Sequence, residues 1–182
     1  NGMTVRFEDP QVGPIVQMGL PIQLSETPGH ARGPSHIPGE DTASVLANLP
    51  GTDAETRTSF PNPMELQPRP LDGVSVLEIS NVIAGPAAGK MLADLGADVI
   101  KLEPHGGDLS RRTLHQLFMY MNSNKRGVSA DTRTAEGQEI ARKLAARADV
   151  LLANMRPGAT ERMGIGTDII RGLNPRLIET HV

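Results

Sequence analysis

The stretch VSVLEISNVIAGPAAGKMLADLGADVIKLE, residues 74–103, decides the fold. Residues 74–79 form a mostly apolar, β-branched run of strand length, and residues 98–103 form a second. Between them Ala87, Ala88, Met91, Leu92 and Leu95 recur at helical spacing. Pro86 suits a first helical turn, and Gly96 suits a C-terminal stop. The unit is therefore strand, helix, strand. Downstream the same alternation continues. A helix is predicted over 135–147, capped by Thr134, with Ile140, Ala141, Leu144, Ala145 and Ala148 on one face. A strand follows over 150–153, short helices over 159–163 and 167–173, and a last strand from Leu177 to Val182. Strands that alternate with helices imply an α/β fold with a parallel sheet covered by helices. No internal repeat at a fixed period is visible.

Upstream the texture differs. Residues 1–50 hold two short strand-like runs, 4–7 and 15–18, separated by the turn signals Asp9-Pro10 and Gly13-Pro14. A Pro/Gly/Ser/His stretch covers 25–39. A short helix is expected next, capped by Asp41 or Thr42, with Val45, Leu46 and Leu49 along its apolar edge. Residues 51–70 carry four prolines and no periodicity, the composition of a linker.

Composition narrows the function classes. The chain has 182 residues, 38% of them hydrophobic, with three Phe, one Tyr and no Trp, so the core must be aliphatic and the stability modest. Acidic and basic residues, 21 and 18, are mixed along the chain, which leaves no basic stripe for a nucleic-acid backbone. Without cysteine there is no disulfide, thiolate metal site or cysteine nucleophile. No apolar run approaches the roughly 20 residues of a membrane span. A cytoplasmic protein without a metal, a membrane or a nucleic-acid partner is the expectation.

In a parallel sheet the turn after the first strand faces ligands, because the next helix begins there with unpaired N–H groups. That turn is residues 80–86, and Glu103 ends the following strand where a dinucleotide fold places its ribose-binding acid. Only Gly85 and Gly89 lie near the turn, which falls short of the dinucleotide glycine pattern. A P-loop is rejected because the glycine spacing is one short and Met91 replaces the magnesium-binding hydroxyl. On these residues alone, the turn reads equally well as a plain tight connection.

Six ordered blocks add a family resemblance. They are SNVIAGP (80–86), LADLGADVIKLEPHGGD (92–108), NSNKRG (122–127), ARADVLLANMRPG (146–158), ERMGIG (161–166) and LNPRL (173–177). Together the blocks resemble the class III (CaiB/BaiF-like) CoA-transferase family and span nearly all of 71–182. The resemblance implies a Rossmann-like coenzyme-A-binding unit. It also implies exchange of CoA between an acyl-CoA and a carboxylic acid through an aspartyl anhydride, in an interlocked homodimer. By position it places Val82, Ile83 and Ala84 against the nucleotide and Ala130, Asp131, Thr132 and Arg133 against the adenosine. Asn154, Met155 and Arg156 follow the next strand, and Arg162 pairs with phosphate, a role that suits its planar fork of donors.

The chain departs from the family in two places. Pro104 and His105 stand where some members place a phosphate-binding arginine, for which Arg111 or Arg112 is the candidate replacement. The stretch between Arg112 and Asn122 is several residues short of the usual active-site loop. By family order the nucleophilic aspartate lies some thirty residues beyond the last strand, and so beyond Val182; no catalytic residue is assigned here. Asp94, Asp98, Asp108, Asp131, Asp149 and Asp168 read as caps or surface charges. Residues 13–28 (GPIVQMGLPIQLSETP) and 39–49 (GEDTASVLANL) resemble the C-terminal end of the same family. The implied order is an end piece over 1–50, a linker over 51–70 and the beginning of a module over 71–182, as at the junction of tandem modules forming a pseudo-dimer. The racemase branch of the family and a non-catalytic assembly piece stand as alternatives.

Overall fold

The computed structural model describes residues 4–22, 24–49 and 69–182. The linker expected over 51–70 falls outside them up to residue 68. β1 (Thr4–Asp9) and β2 (Gly13–Met18) form an antiparallel hairpin with Thr4 opposite Met18. Asp9 Oδ1 closes its turn by accepting the N–H groups of Gln11 at 2.8 Å and Val12 at 3.1 Å. After α1 (Thr42–Ala47) come β3 (Ser75–Ile79), α2 (Ala84–Asp94) and β4 (Asp98–Glu103), the predicted unit. Then follow α3 (Ser110–Thr113), α4 (His115–Asn122), β5 (Arg126–Ser129), α5 (Ala135–Arg147) and β6 (Val150–Ala153). α6 (Ala159–Arg162), α7 (Thr167–Leu173) and β7 (Ile178–His181) complete the order. Among the described residues no helix is long and apolar enough to cross a membrane.

The sheet is parallel, in the order β5-β4-β3-β6-β7. From β3 the chain moves outward to β4 and β5, then crosses back to lay β6 on the other side. The winding reverses between β3 and β6, and such a reversal opens a crevice at the carboxyl ends of the strands. Alternation along the strands fills both faces. Leu77, Leu102, Val128 and Leu151 point to the face covered by Ala141, Leu144 and Ala145 of α5 and Ile170 of α7. Val76, Val99 and Leu152 point to the other, against Ala93 of α2 and Ala97. Thr134 caps α5 as the sequence predicts, its Oγ1 accepting the Gly137 N–H at 3.1 Å.

The last strand is shorter than the expected span from Leu177 to Val182, and the correction has a cause at each end. The Leu177 N–H is turned to the Asn174 carbonyl at 3.1 Å, closing the turn after α7, so pairing starts only at Ile178. At the other end Ala153 is the last residue of β6 and lies opposite His181, which leaves Val182 without a residue to face. Val182 is exposed and outside β7, its N–H donating to the Ala153 carbonyl at 2.9 Å.

The edges of the sheet differ. On β5, the Gly127 N–H donates to Asp41 Oδ2 at 2.7 Å, the Ser129 N–H to Thr42 Oγ1 at 3.0 Å, and the Gly127 carbonyl accepts from the Asp41 N–H at 3.1 Å. This corrects the capping expectation. Asp41 does occupy the N-cap of α1, but its carboxylate makes no cap bond there, because it seals the edge of β5 and holds His36 Nδ1 at 2.6 Å. Covering a strand edge removes a template for unwanted pairing. Arg32 acts similarly at the end of α2, donating to the carbonyls of Ala93 at 3.1 Å and Ala97 at 3.0 Å. Val45 of α1 is buried in the main core. The upstream segment is thus stitched to the α/β unit by edge bonds, a helix cap and core packing. β7 has no further strand beside it among the described residues, and Ile178 is exposed.

Candidate functional site

The turn leaving β3 reaches the crevice with its backbone fixed at several points. Asn154, just past β6, brackets Asn81: its Oδ1 accepts the Asn81 N–H at 2.8 Å and its Nδ2 donates to the Asn81 carbonyl at 2.7 Å. Asn81 Nδ2 in turn points at Met155 Sδ, 3.6 Å away. Gly85 lets the turn fold this tightly, since a Cβ there would lie 2.4 Å from Ser80 Cβ and 3.2 Å from Asn154 Cγ. Val82 adopts φ 67, a left-handed conformation. For a β-branched residue this costs about 1–3 kcal/mol and persists only where the surroundings impose it. Val82, Ile83 and Ala84 are exposed, and Ile83, the N-cap of α2, provides no side-chain cap. The 11-residue helix therefore starts without a side-chain cap, its first N–H groups being those of Ala84 and the buried Gly85 since Pro86 has none, and the turn before it is bound to Asn154.

Beneath the turn lies a cluster of charges that the sequence reading did not anticipate. Glu78 (0% exposed), Lys101 (2%) and Lys125 meet at the centre of the sheet. Glu78 Oε1 accepts from Ser80 Oγ at 2.6 Å and Lys101 Nζ at 3.2 Å, and its Oε2 lies 2.7 Å from Lys125 Nζ. That last contact is an ion pair without hydrogen-bond alignment, so Oε2 counts among the buried oxygens lacking a hydrogen bond. Gly89 makes the contact possible, because a Cβ there would sit 1.9 Å from Glu78 Oε2. Burial pushes the Lys125 ammonium down to about 8 against the upward pull of Glu78. Burial alone would raise the Glu78 carboxyl, but Lys125 and Lys101 outweigh it and hold the group below its ordinary value.

The surrounding charges bear on the expectations from sequence. Asp94 is buried rather than a cap or surface charge, whereas Asp108, though buried, does cap, its Oδ1 accepting the Ser110 N–H at 2.8 Å at the start of α3. Asp94 pairs with Lys90 at 2.6 Å and accepts from Asn124 Nδ2 at 2.6 Å, and Asp108 lies 3.4 Å from Lys101 Nζ. Glu103 is 2% exposed and committed to Arg111 and to the Asp108 N–H at 3.0 Å, so it cannot serve as a ribose-binding acid. Arg111 is equally committed. It donates to both Glu103 oxygens, at 3.1 and 2.7 Å, and to the His36 carbonyl at 2.9 Å, while its guanidinium stacks 4.1 Å from the Phe118 ring. It is no substitute for a phosphate-binding arginine. Arg112 stays exposed, near the Gly106 carbonyl.

The second group of predicted residues follows β5, two strands from β3. Ala130 is buried, and Asp131, Thr132 and Arg133 form the loop into α5. Arg133 bonds Asp131 through Nε at 2.8 Å and Nη2 at 2.7 Å, and hydrogen bonds from Arg133 hold the Asp131 carboxyl down to about 2. Gln138 of α5 joins this loop to α6, its Nε2 donating to the Thr132 carbonyl at 3.2 Å and to the Arg162 carbonyl at 3.1 Å. No motif singled out Gln138. The structure thus assembles two clusters at the carboxyl edge, 82–84 with 154–156 and 130–133 with Arg162. Arg156 and Arg162 are exposed and make no salt bridge among the described residues, which leaves two guanidinium groups for an anionic ligand. The nucleophilic aspartate expected beyond Val182 lies outside the described residues, and the apolar Val182 itself supplies no reacting group.

Residues 71–182 match the family model for CoA-transferase family III. Formyl-CoA:oxalate CoA-transferases of Streptomyces avermitilis and Escherichia coli are 44% identical to the chain over 115 and 117 residues, 59% and 60% of its length. The chain spans 28% of the length of these curated relatives. A hypothetical protein of Mycobacterium tuberculosis superimposes with TM-score 0.60 and 42% identity, covering 62% of this chain and 32% of its own. A CAIB/BAIF family protein from Brucella suis gives TM-score 0.60 and 38% identity over 62% of this chain and 33% of its own.

Proposed function

Because the chain belongs to CoA-transferase family III, we propose that residues 71–182 form the coenzyme-A-binding part of an acyl-CoA:carboxylate CoA-transferase. One observation carries the proposal: the uncapped start of α2, with exposed residues 82–84, opens beside Asn154, Met155 and Arg156 at the point where the winding of the sheet reverses. Helix amides and two arginines without an ion pair among the described residues suit the phosphates of a coenzyme, and the loop 130–133 with Arg162 offers a second contact for its nucleotide end. In the transfer reaction an enzyme carboxylate attacks the donor thioester carbonyl and expels CoA thiolate, which reopens the anhydride at the enzyme carbonyl, releasing the donor acid and leaving an enzyme–CoA thioester. The acceptor carboxylate then expels CoA again, and the thiolate attacks the acceptor carbonyl of the second anhydride, so the acceptor leaves as its CoA thioester and the enzyme carboxylate is restored. Residues 82–84, 154–156 and 162 bind and orient the coenzyme in that sequence. The nucleophilic carboxylate is assigned to a region beyond Val182.

The acceptor is a carboxylic acid, and the assembly is an interlocked dimer or a pseudo-dimer of tandem modules. Its support is the upstream segment, similar to a family C-terminal end, which seals β5 and caps α2. Calorimetric titration with CoA tests the binding claim: saturable heat is expected, and no heat at millimolar CoA with folded protein would overturn it. In the longer protein, deuterium exchange at the α-carbon of a 2-methylacyl-CoA without CoA transfer would replace the transferase reading by the racemase one.

A further inference from the structure

Both ends of the turn 80–86 are held from inside the protein by buried ammonium groups. Lys101 Nζ donates to the Ser80 carbonyl at 2.6 Å, and Lys125 Nζ donates to the Pro86 carbonyl at 2.8 Å. Glu78 lies between the two lysines and also takes the Ser80 hydroxyl. Between these anchors the backbone carries the left-handed Val82, which local preference disfavours. A lysine side chain is a costly way to satisfy a carbonyl inside a protein, since aliphatic residues would fill the same space without desolvating charge. Placing two of them on the carbonyls that flank one strained turn is the arrangement to explain.

We propose that the buried Lys101, Glu78 and Lys125 network is a positioning device for the coenzyme-binding turn, holding residues 82–84 in a conformation the turn would not keep by itself. The proposal rests on the CoA-binding reading. None of the three residues touches the crevice, so they act through the backbone of Ser80 and Pro86. Gly89 belongs to the device, because any side chain there would displace Glu78. The bracket from Asn154 fixes Asn81 on the crevice side, and the lysines fix the two carbonyls from the sheet side.

The test compares three variants: Ser80→Ala, the charge-balanced double variant Glu78→Gln/Lys101→Met, and Ile170→Ala, which hollows the core under α7 away from the turn. Each is assayed for thermal midpoint, for CoA affinity well below that midpoint, and for the strong intraresidue Hα–HN Overhauser effect of a left-handed Val82. Loss of turn geometry should weaken CoA binding about tenfold or more in the double variant and less in Ser80→Ala, with the Val82 signal reduced in both. Ile170→Ala should lower the midpoint while keeping both affinity and signal. Wild-type affinity and an unchanged Val82 signal in the double variant would overturn the proposal. If the double variant does not fold, a fourth variant, Lys101→Met, which removes the donor to the Ser80 carbonyl while Lys125 still pairs with Glu78, decides by the same two readouts. A folded wild-type chain that does not bind CoA would overturn the binding reading instead, and the Val82 signal then decides the positioning claim alone.

Discussion

The two clusters of the candidate site are held in contrasting ways. The turn 80–86 is fixed from below by groups that water does not reach, Lys101, Lys125 and Glu78, with half-buried Asn154 at its side. The loop 130–133 is fixed by groups that water does reach, with Arg133 89% exposed while it bonds Asp131, and with Gln138 tying its backbone to Arg162. Buried charge pairs are costly to break because a lone charge is left in a poor medium, whereas exposed pairs contribute little. The first cluster is therefore built for fixed geometry, and the second can adjust to what it binds.

The largest effect should come from Gly89→Ala, which forces Glu78 from Lys125 and should cost about 3–5 kcal/mol or prevent folding, as chemical denaturation would show. Asn154→Ala removes two bonds from Asn81 and should cost roughly 1–3 kcal/mol, with CoA affinity falling in parallel in a titration. Gln138→Ala, in the adjustable cluster, should cost about 1 kcal/mol and loosen Arg162 without disturbing Val82, a difference that amide exchange can read. Arg133→Ala should change stability least in chemical denaturation at neutral pH, because the pair it breaks is exposed.

Two pH windows separate the clusters further. With its folded value held down to about 8 against an ordinary 10.5, Lys125 releases its proton earlier in the folded chain than in the unfolded one. Between those values the unfolded chain binds more protons, so this group makes stability rise with pH. Asp131 works in the acid range. Its contribution is complete above 3.8 and lost as pH falls toward about 2, so Arg133→Ala should flatten the stability profile there and leave the alkaline window unchanged.

What the sequence made legible followed from periodicity. The β3–α2–β4 unit, α5, β6 and α7 carry long apolar patterns, and tertiary structure agrees with them. β5 was not legible because Arg126-Gly-Val-Ser129 has little strand character, and its state comes from pairing with β4 and from Asp41 and Thr42 on its outer edge. The ends of β7 were misjudged at Leu177 and Val182 because apolar character does not reveal where the partner strand stops. α3 and α4 were missed because neither starts on a polar capping residue, their N-caps being Leu109 and Leu114, and Arg111 stacking on Phe118 helps place them. The buried charges did leave a signal. Lys101 and Glu103 interrupt a strand that a helix-covered parallel sheet should make apolar, and only internal partners resolve that conflict. Those partners, Glu78, Asp108 and Arg111, lie 23, 7 and 8 residues away in sequence, so no local pattern links them. The placement of Val82–Ala84 beside Asn154–Arg156 followed from strand order, which spacing alone does not fix.

A nitrogen–proton correlation spectrum recorded during titration with CoA tests the coenzyme crevice most directly. The expected result is a saturable set of shifts concentrated at Val82, Ile83, Ala84, Asn154, Met155 and Arg156, with a smaller set at residues 131–133 and 162. Shifts confined to the β1–β2 hairpin or to the outer edge of β7, or a spectrum unchanged at saturating CoA, would contradict it.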